Sequence, residues 1–432
     1  MAHMRNTVSF CAAFLAAVAT VRCDSRSAAI APTDAGTVSS GGGGAQPDAG
    51  TSIGGGGQQD AGSGGGGGQP DAGGAVAGHD ECAGLGPGTV GQPSASVAIP
   101  ATDYENWFPG ATDGSGTVAL MMTNDNFEPS LRIRLFHPSG AERGAYRSAQ
   151  VTLGEAIVGQ LQGVVVSYYD TVYARGELAA LDENGSVMAT TEFEGIPWWP
   201  IANDPLGGIV LVQRQHMPPP SVVAAYDERL NLRFRTQLSS TERVLEFGVD
   251  RQGNSLVLLD ATDRYGSGKV GGIWIDHSGN AGAEFLALEN VPSPPYLFLT
   301  PRVGNGFFAA RNPGPPTTAA WIGQFDAMGK GTAPPDWLTA RPVTRLPVVR
   351  NGRAYAVIHP ARLDAVCHAD IEIVAPSGKS CGTAAFPADQ SGQFCAGGLF
   401  VGSDGTVVGG RAEDAGPGSR TFTFRWWTGF LH

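Results

Sequence analysis

The sequence predicts an all-β fold of seven four-stranded units. Three observations carry this: a glycine at a steady step, a second turn series interleaved at the same step, and a last unit one strand short. Gly116, Gly163, Gly207, Gly253, Gly306, Gly352 and Gly405 follow one another at steps of 44 to 53 residues. Each precedes an apolar run such as "NSLVLL" or "GIVLVQ". Between them fall turns at Gly140, Gly185, Leu230, Gly279, Gly329, Gly378 and Gly429, at steps of 45 to 51 residues. These follow apolar runs such as "LRIRLF" and "TFTFR". Two hairpins per period make four strands per unit. Seven such units are the signature of a seven-bladed β-propeller. A lone four-stranded sheet buries its faces poorly, whereas seven around an axis bury both and leave few free edges.

The first unit begins near Trp107. "WFPGATDGSGTVALM" and "WWPIANDPLGGIVLV" align Trp107 with Trp198, Pro109 with Pro200, Ala111 with Ala202, Asp113 with Asp204 and Gly116 with Gly207, at an offset of 91 residues. "GVDRQGNSLVLLD" repeats the Asp and Gly as Asp250 and Gly253, the inner hairpin turn of the fourth unit. Ser148 to Gly163 shows some helical spacing, but its place in the repeat makes it the inner strand of the second unit. After Gly429 only three residues remain, so the seventh unit lacks its fourth strand. "SASVAIPAT", Ser94 to Thr102, is spare and is expected to supply it and close the ring.

The ends differ from this core. Residues 1–23 carry Arg5 and an apolar run, Thr7 to Val21, too short to span a bilayer and suited to an export signal. Residues 24–80 hold three glycine runs and a recurring Asp-Ala-Gly at Asp34, Asp48, Asp60 and Asp71. Their apolar content is too low to offset the entropy of ordering, and a coil of this length reaches roughly 40 Å. Residues 81–432 form the propeller. The order of signal, Thr20-Val21-Arg22-Cys23, stalk and folded domain resembles bacterial exported lipoproteins. That resemblance implies lipidation of Cys23, although Arg22 departs from the small residue the pattern wants. The other reading is plain secretion with cleavage near Ala29-Ile30-Ala31. The expected location is outside the cytoplasm: outer surface, periplasm or medium, with membrane contact only through an anchor on Cys23.

Four cysteines fall in the folded part: Cys82, Cys367, Cys381 and Cys395. In an exported chain this reads as two disulfides. Of the three pairings, placement on the two faces of the ring favours Cys82–Cys381 and Cys367–Cys395. No C-x-x-C spacing exists, so no zinc site is read.

The net charge of −12, from 28 Lys+Arg and 40 Asp+Glu, argues against nucleic acid as partner. "GKSCG" matches G-x-S-x-G, but it sits on a hairpin with no helix behind it, so Ser380 is not read as a nucleophile. Asp113, Asp204 and Asp250 recur in one turn and are read as caps of their own backbone. Residues that do not repeat say more. They gather in the connections between strands two and three: His216, Asp263, Arg264, His359, Arg362, Asp364, His368, Glu413 and Asp414. Trp107, Trp198 and Trp199 are expected near the channel mouth on the same face. Such a rim suits a small polar ligand such as a sugar or a peptide. The spacing of His359, Asp364 and His368 is permissive, and no metal or cofactor is assigned.

The functional expectation is therefore a monomeric, exported binding or interaction module for an extracellular ligand or protein. The alternative is a hydrolase or lyase acting on a saccharide or ester at the channel mouth. The fold alone does not choose between them.

Overall fold

The computed structural model describes residues 80–124, 131–148, 152–170, 175–193, 196–197, 201–214, 221–239, 242–291, 296–312, 319–349, 352–362, 368–386 and 399–431. Seven antiparallel sheets follow one another along the chain. Blade one spans Glu105–Arg147, blade two Thr152–Phe193, blade three Ile196–Gln237 and blade four Val244–Leu288. Blade five spans Tyr296–Thr332 and blade six Val348–Phe386. Blade three has its inner strand in two pieces, Ile196–Pro197 and Ala202–Asn203, both paired to Ile209–Arg214.

Blade seven closes the ring. Phe400–Val401, Val407–Gly416 and Ser419–Trp427 form its first three strands, and Ala95–Thr102 adds the fourth. The register runs antiparallel from Ala95 opposite Trp426 to Thr102 opposite Ser419. The segment before the closing strand is fixed too. Cys82 is bonded to Cys381 on the outer strand of blade six, and Leu85 is buried between blades six and seven. Cys367 and Cys395 lie outside the described residues.

The hydrophobic core is divided among the seven blade interfaces. Val257 and Leu259 of blade four pack towards blade three, while Leu256 and Leu258, between them in sequence, pack towards blade five. A strand buried on both faces needs a continuous apolar run rather than alternation, which is why "SLVLL" reads as it does. The same division recurs at every interface.

Both turn series adopt the conformation their glycines permit. All seven inner-turn glycines have positive φ, from 75° at Gly352 to 102° at Gly207. The second series does as well, including Leu230 at 60°. A left-handed leucine is costly, but its side chain is buried between blades two and three, which offsets the strain.

The seventh blade departs from expectation in one respect. "RAEDAGPGSR" was expected to be a loop bearing Glu413 and Asp414. It forms instead the ends of two long strands joined at Gly416–Ser419, with Glu413 opposite Thr421 and Asp414 opposite Arg420. Period-two pairing continues there although its side chains are polar, because this end of the ladder is largely solvent-exposed.

Candidate functional site

In each blade the turn after strand one opens on one face of the ring. Because the strands alternate in direction, the end of strand two and the start of strand three lie on the other. Of the expected site residues, Trp198, Trp199, His216 and Asp364 lie outside the described residues. Trp107 is described and is not at the rim. It is 8% exposed, on strand one of blade one, and packs in the core between blades seven and one. Its strand position points it at the neighbouring blade, so at Trp107 the repeated residue serves packing.

Asp263 and Arg264 do stand on the expected face, in a short helix, Thr262–Tyr265, between strands two and three of blade four. Asp263 is exposed. Arg264 pairs with Glu284 at 2.7 Å and lies 5.6 Å from the Tyr265 ring centroid. Glu242, Asp260 and Asp263 add carboxylates nearby. Burial, followed by repulsion from Glu284, raises the Glu242 carboxyl above its usual range, and Arg264 works against that rise.

His359 is on strand two of blade six rather than in a loop, and Arg362 pairs with His368 across the ladder. His359 Nε2 meets Glu372 Oε2 at 3.1 Å. Arg341 holds the same carboxylate bidentately, at 2.8 and 3.1 Å. Burial opposes the charge on Glu372, but bonds from Arg341, Ser380 and His359 outweigh it and hold the carboxyl below its usual range. Ser380 and His359 approach this carboxylate separately, so the group is an ion clamp and not a nucleophile–base pair. Among the described residues no group of three or more His, Cys, Asp or Glu side chains is placed to hold a metal ion.

The channel contributes a pair absent from the sequence-based list. Glu246 stands on the innermost strand of blade four, in "VLEFGV". Arg345 is exposed, three residues before the inner strand of blade six. Burial pushes the Glu246 carboxyl up to about 8, and the Arg345 charge pulls it down. Glu246 is on blade four and Arg345 precedes blade six, so the charge that acts on Glu246 comes from a non-adjacent blade. No ion pair joins them among the described residues. A carboxyl raised in this way can hold its proton and, like a guanidinium, donate to an acceptor-rich ligand. The only sequence signal was a charge inside an otherwise apolar inner strand.

The seven sheets, closed by Ala95–Thr102, define the class of protein as a seven-bladed β-propeller. No protein-family model and no curated protein matches the chain. Solved structures similar in chain path include the β-propeller domain of the Trilobed protease from Pyrococcus furiosus. It is 12% identical, with a TM-score of 0.47, over 76% of this chain and 98% of that one. Kuenenia stuttgartiensis hydrazine synthase is 12% identical, with a TM-score of 0.42, over 71% and 93%. Virginiamycin B lyase from Staphylococcus aureus is 11% identical, with a TM-score of 0.36, over 76% and 99%. No residue role is taken from these likenesses.

Proposed function

We propose that this chain is an exported binding module that takes a small polar ligand, such as a sugar or short peptide, at the channel mouth. The reading is carried by the raised Glu246 carboxyl on the innermost strand of blade four and the exposed Arg345 just before the inner strand of blade six. A neutral carboxyl and a guanidinium without a shared bond leave donors for a ligand, and ligand sites favour a concave setting with few polar groups. Export is supported by the signal-like residues 1–23 and by the Cys82–Cys381 bond, which suits an oxidising compartment. Attachment through Cys23 belongs to the same reading. The test is a thermal-shift screen of the full chain against glycans, peptides and small acids. A native-state ligand must raise the midpoint. That rise should vanish in Glu246→Gln or Arg345→Met. A hit that survives both substitutions places the ligand elsewhere and defeats the reading.

A second reading, a hydrolase or lyase for a saccharide or ester, is favoured by the raised Glu246 carboxyl alone. A carboxyl titrating at about 8 suits general acid–base work. It requires turnover of such a substrate that Glu246→Gln removes.

A further inference from the structure

One register position can be followed round the ring. In each blade, one residue of strand two pairs with the last residue of strand three. These are Val118, Val164, Ile209, Ser255, Phe307, Tyr355 and Val407. Four residues further on, on the same strand face and nearer the loops, stand Met122, Tyr168, Gln213, Leu259, Arg311, His359 and Arg411.

Six of the seven are accounted for. Met122 and Leu259 are buried in the cores between blades. Tyr168 donates to Glu177 at 2.7 Å, and Gln213 to the Tyr226 hydroxyl at 3.4 Å. His359 meets Glu372 at 3.1 Å, and Arg411 pairs with Glu413 at 3.2 Å. Arg311 breaks the pattern. Its Nε–H has no acceptor among the described residues and is closed off from solvent. Arg132, Arg175 and Arg411 also bury Nε, but their terminal nitrogens pair with Glu105, Glu192 and Glu413. A buried donor without a partner carries a desolvation cost that a ligand can recover.

Arg311 also lines a cavity of about 280 Å³ between the outer strand of blade four and the sheet of blade five. Leu288, Val291 and Ile322 supply its apolar lining, and Glu289, Asn290 and Thr332 its polar lining. The Glu289 charge is met by Lys269 at 2.9 Å. The balance of these three side chains with Arg311 is one positive charge.

We propose that Arg311 heads a site for a small organic carboxylate with a short apolar body. The planar guanidinium offers two parallel donors to a carboxylate, and the apolar wall covers the hydrocarbon. The site involves the outer strand of blade four and strands two to four of blade five. It is separate from Glu246 and Arg345, and stands or falls independently of the channel reading.

The test uses the full chain with 15N-labelled arginine, following the Arg311 Nε–H resonance during titration with butyrate, benzoate and inorganic phosphate. At least one acid is expected to shift it saturably. Arg311→Met should abolish acid binding measured by calorimetry, and Arg411→Met should leave it intact. Ile322→Phe fills the cavity without touching the guanidinium, and should weaken binding about tenfold or more. No saturable response to either acid overturns the proposal. So does saturation by phosphate alone, or binding unchanged in both Arg311→Met and Ile322→Phe.

Discussion

The Asp113 carboxylate of blade one accepts the backbone N–H of Gly163 in blade two at 3.0 Å. Its other oxygen accepts the N–H groups of Ser115 at 2.9 Å and Thr117 at 2.8 Å in its own turn. Asp250 repeats this, reaching Gly306 of blade five at 3.3 Å. Gln160 replaces the carboxylate in blade two and accepts the Gly208 N–H at 3.1 Å. Asp404 accepts the Thr112 hydroxyl at 2.6 Å across the closing interface. In these turns the residue joins blades as well as capping its turn, whereas the second oxygen of Asp204 meets Arg233 of its own blade. Asp113→Ala is expected to cost about 2–4 kcal/mol, since it strands buried donors in two blades. Asp182→Ala, which removes a cap serving only its own turn, should cost about 1 kcal/mol or less. Denaturant midpoints of the two variants check this, and equal losses would contradict the inter-blade role.

Arg251 of blade four donates to the carbonyl oxygens of Val303 at 3.4 Å and Gly352 at 3.1 Å, in blades five and six. Gly352 has φ of 75°, and a Cβ there would collide with the Arg251 guanidinium. Gly352→Ala should therefore destabilise by about 1 kcal/mol or more. Adding Arg251→Ala removes the collision, so the double variant should lose less than the sum of the singles. Strict additivity would show that the guanidinium does not constrain Gly352.

The Cys82–Cys381 bond spans 299 residues of sequence. Opening it with Cys82→Ser and Cys381→Ser is expected to cost about 2–5 kcal/mol. The loss should be local at first. Amide exchange should quicken in Ala95–Thr102 and in its partner Ser419–Trp427 before the other blades respond. Uniform acceleration over all blades would mean that the bond does not specifically hold the closing strand.

Folding raises the Glu246 carboxyl to about 8, so the folded state holds that proton more tightly than the unfolded chain. Its contribution to stability is complete below the ordinary carboxylate range. It declines as pH rises towards about 8 and is level beyond. Glu246→Gln should match the parent near pH 4 and exceed it by up to about 5 kcal/mol at alkaline pH. Urea midpoints across that range measure the difference. A substitution that destabilises at high pH would show that the ionised form is the favoured one.

Much of the architecture could be read from the sequence because its turns need a conformation that glycine supplies cheaply. Thirteen of the fourteen turn positions are glycine and one is Leu230, and all have positive φ. The closing strand was legible from a deficit: the seventh unit lacked a strand, and Ala95–Thr102 provides it. The candidate site was less legible. Periodicity gives a residue its place along a strand but not its direction from the ring axis. Trp107 was therefore expected at a rim and is found in a core, while Glu246 and Arg345 were passed over. Nothing in the local pattern links them, since they belong to blades four and six with a third blade between them in the chain. Arg311 was missed for a different reason. Only the ladder register shows that it shares a position with His359 and Arg411, and only the neighbouring blade leaves a cavity beside it.

The strand at Ala95–Thr102 also sets the order of events in folding. It is the first strand made among those described, and its partner, Ser419–Trp427, is the last. Every nascent chain shorter than that partner presents two unsatisfied sheet edges, one at each end of an open arc. Joining them is a contact of very high sequence separation, the slowest kind to form. A chain stalled at this step would be adhesive to copies of itself, and exchange of the closing strand between two chains is the error such an arc invites.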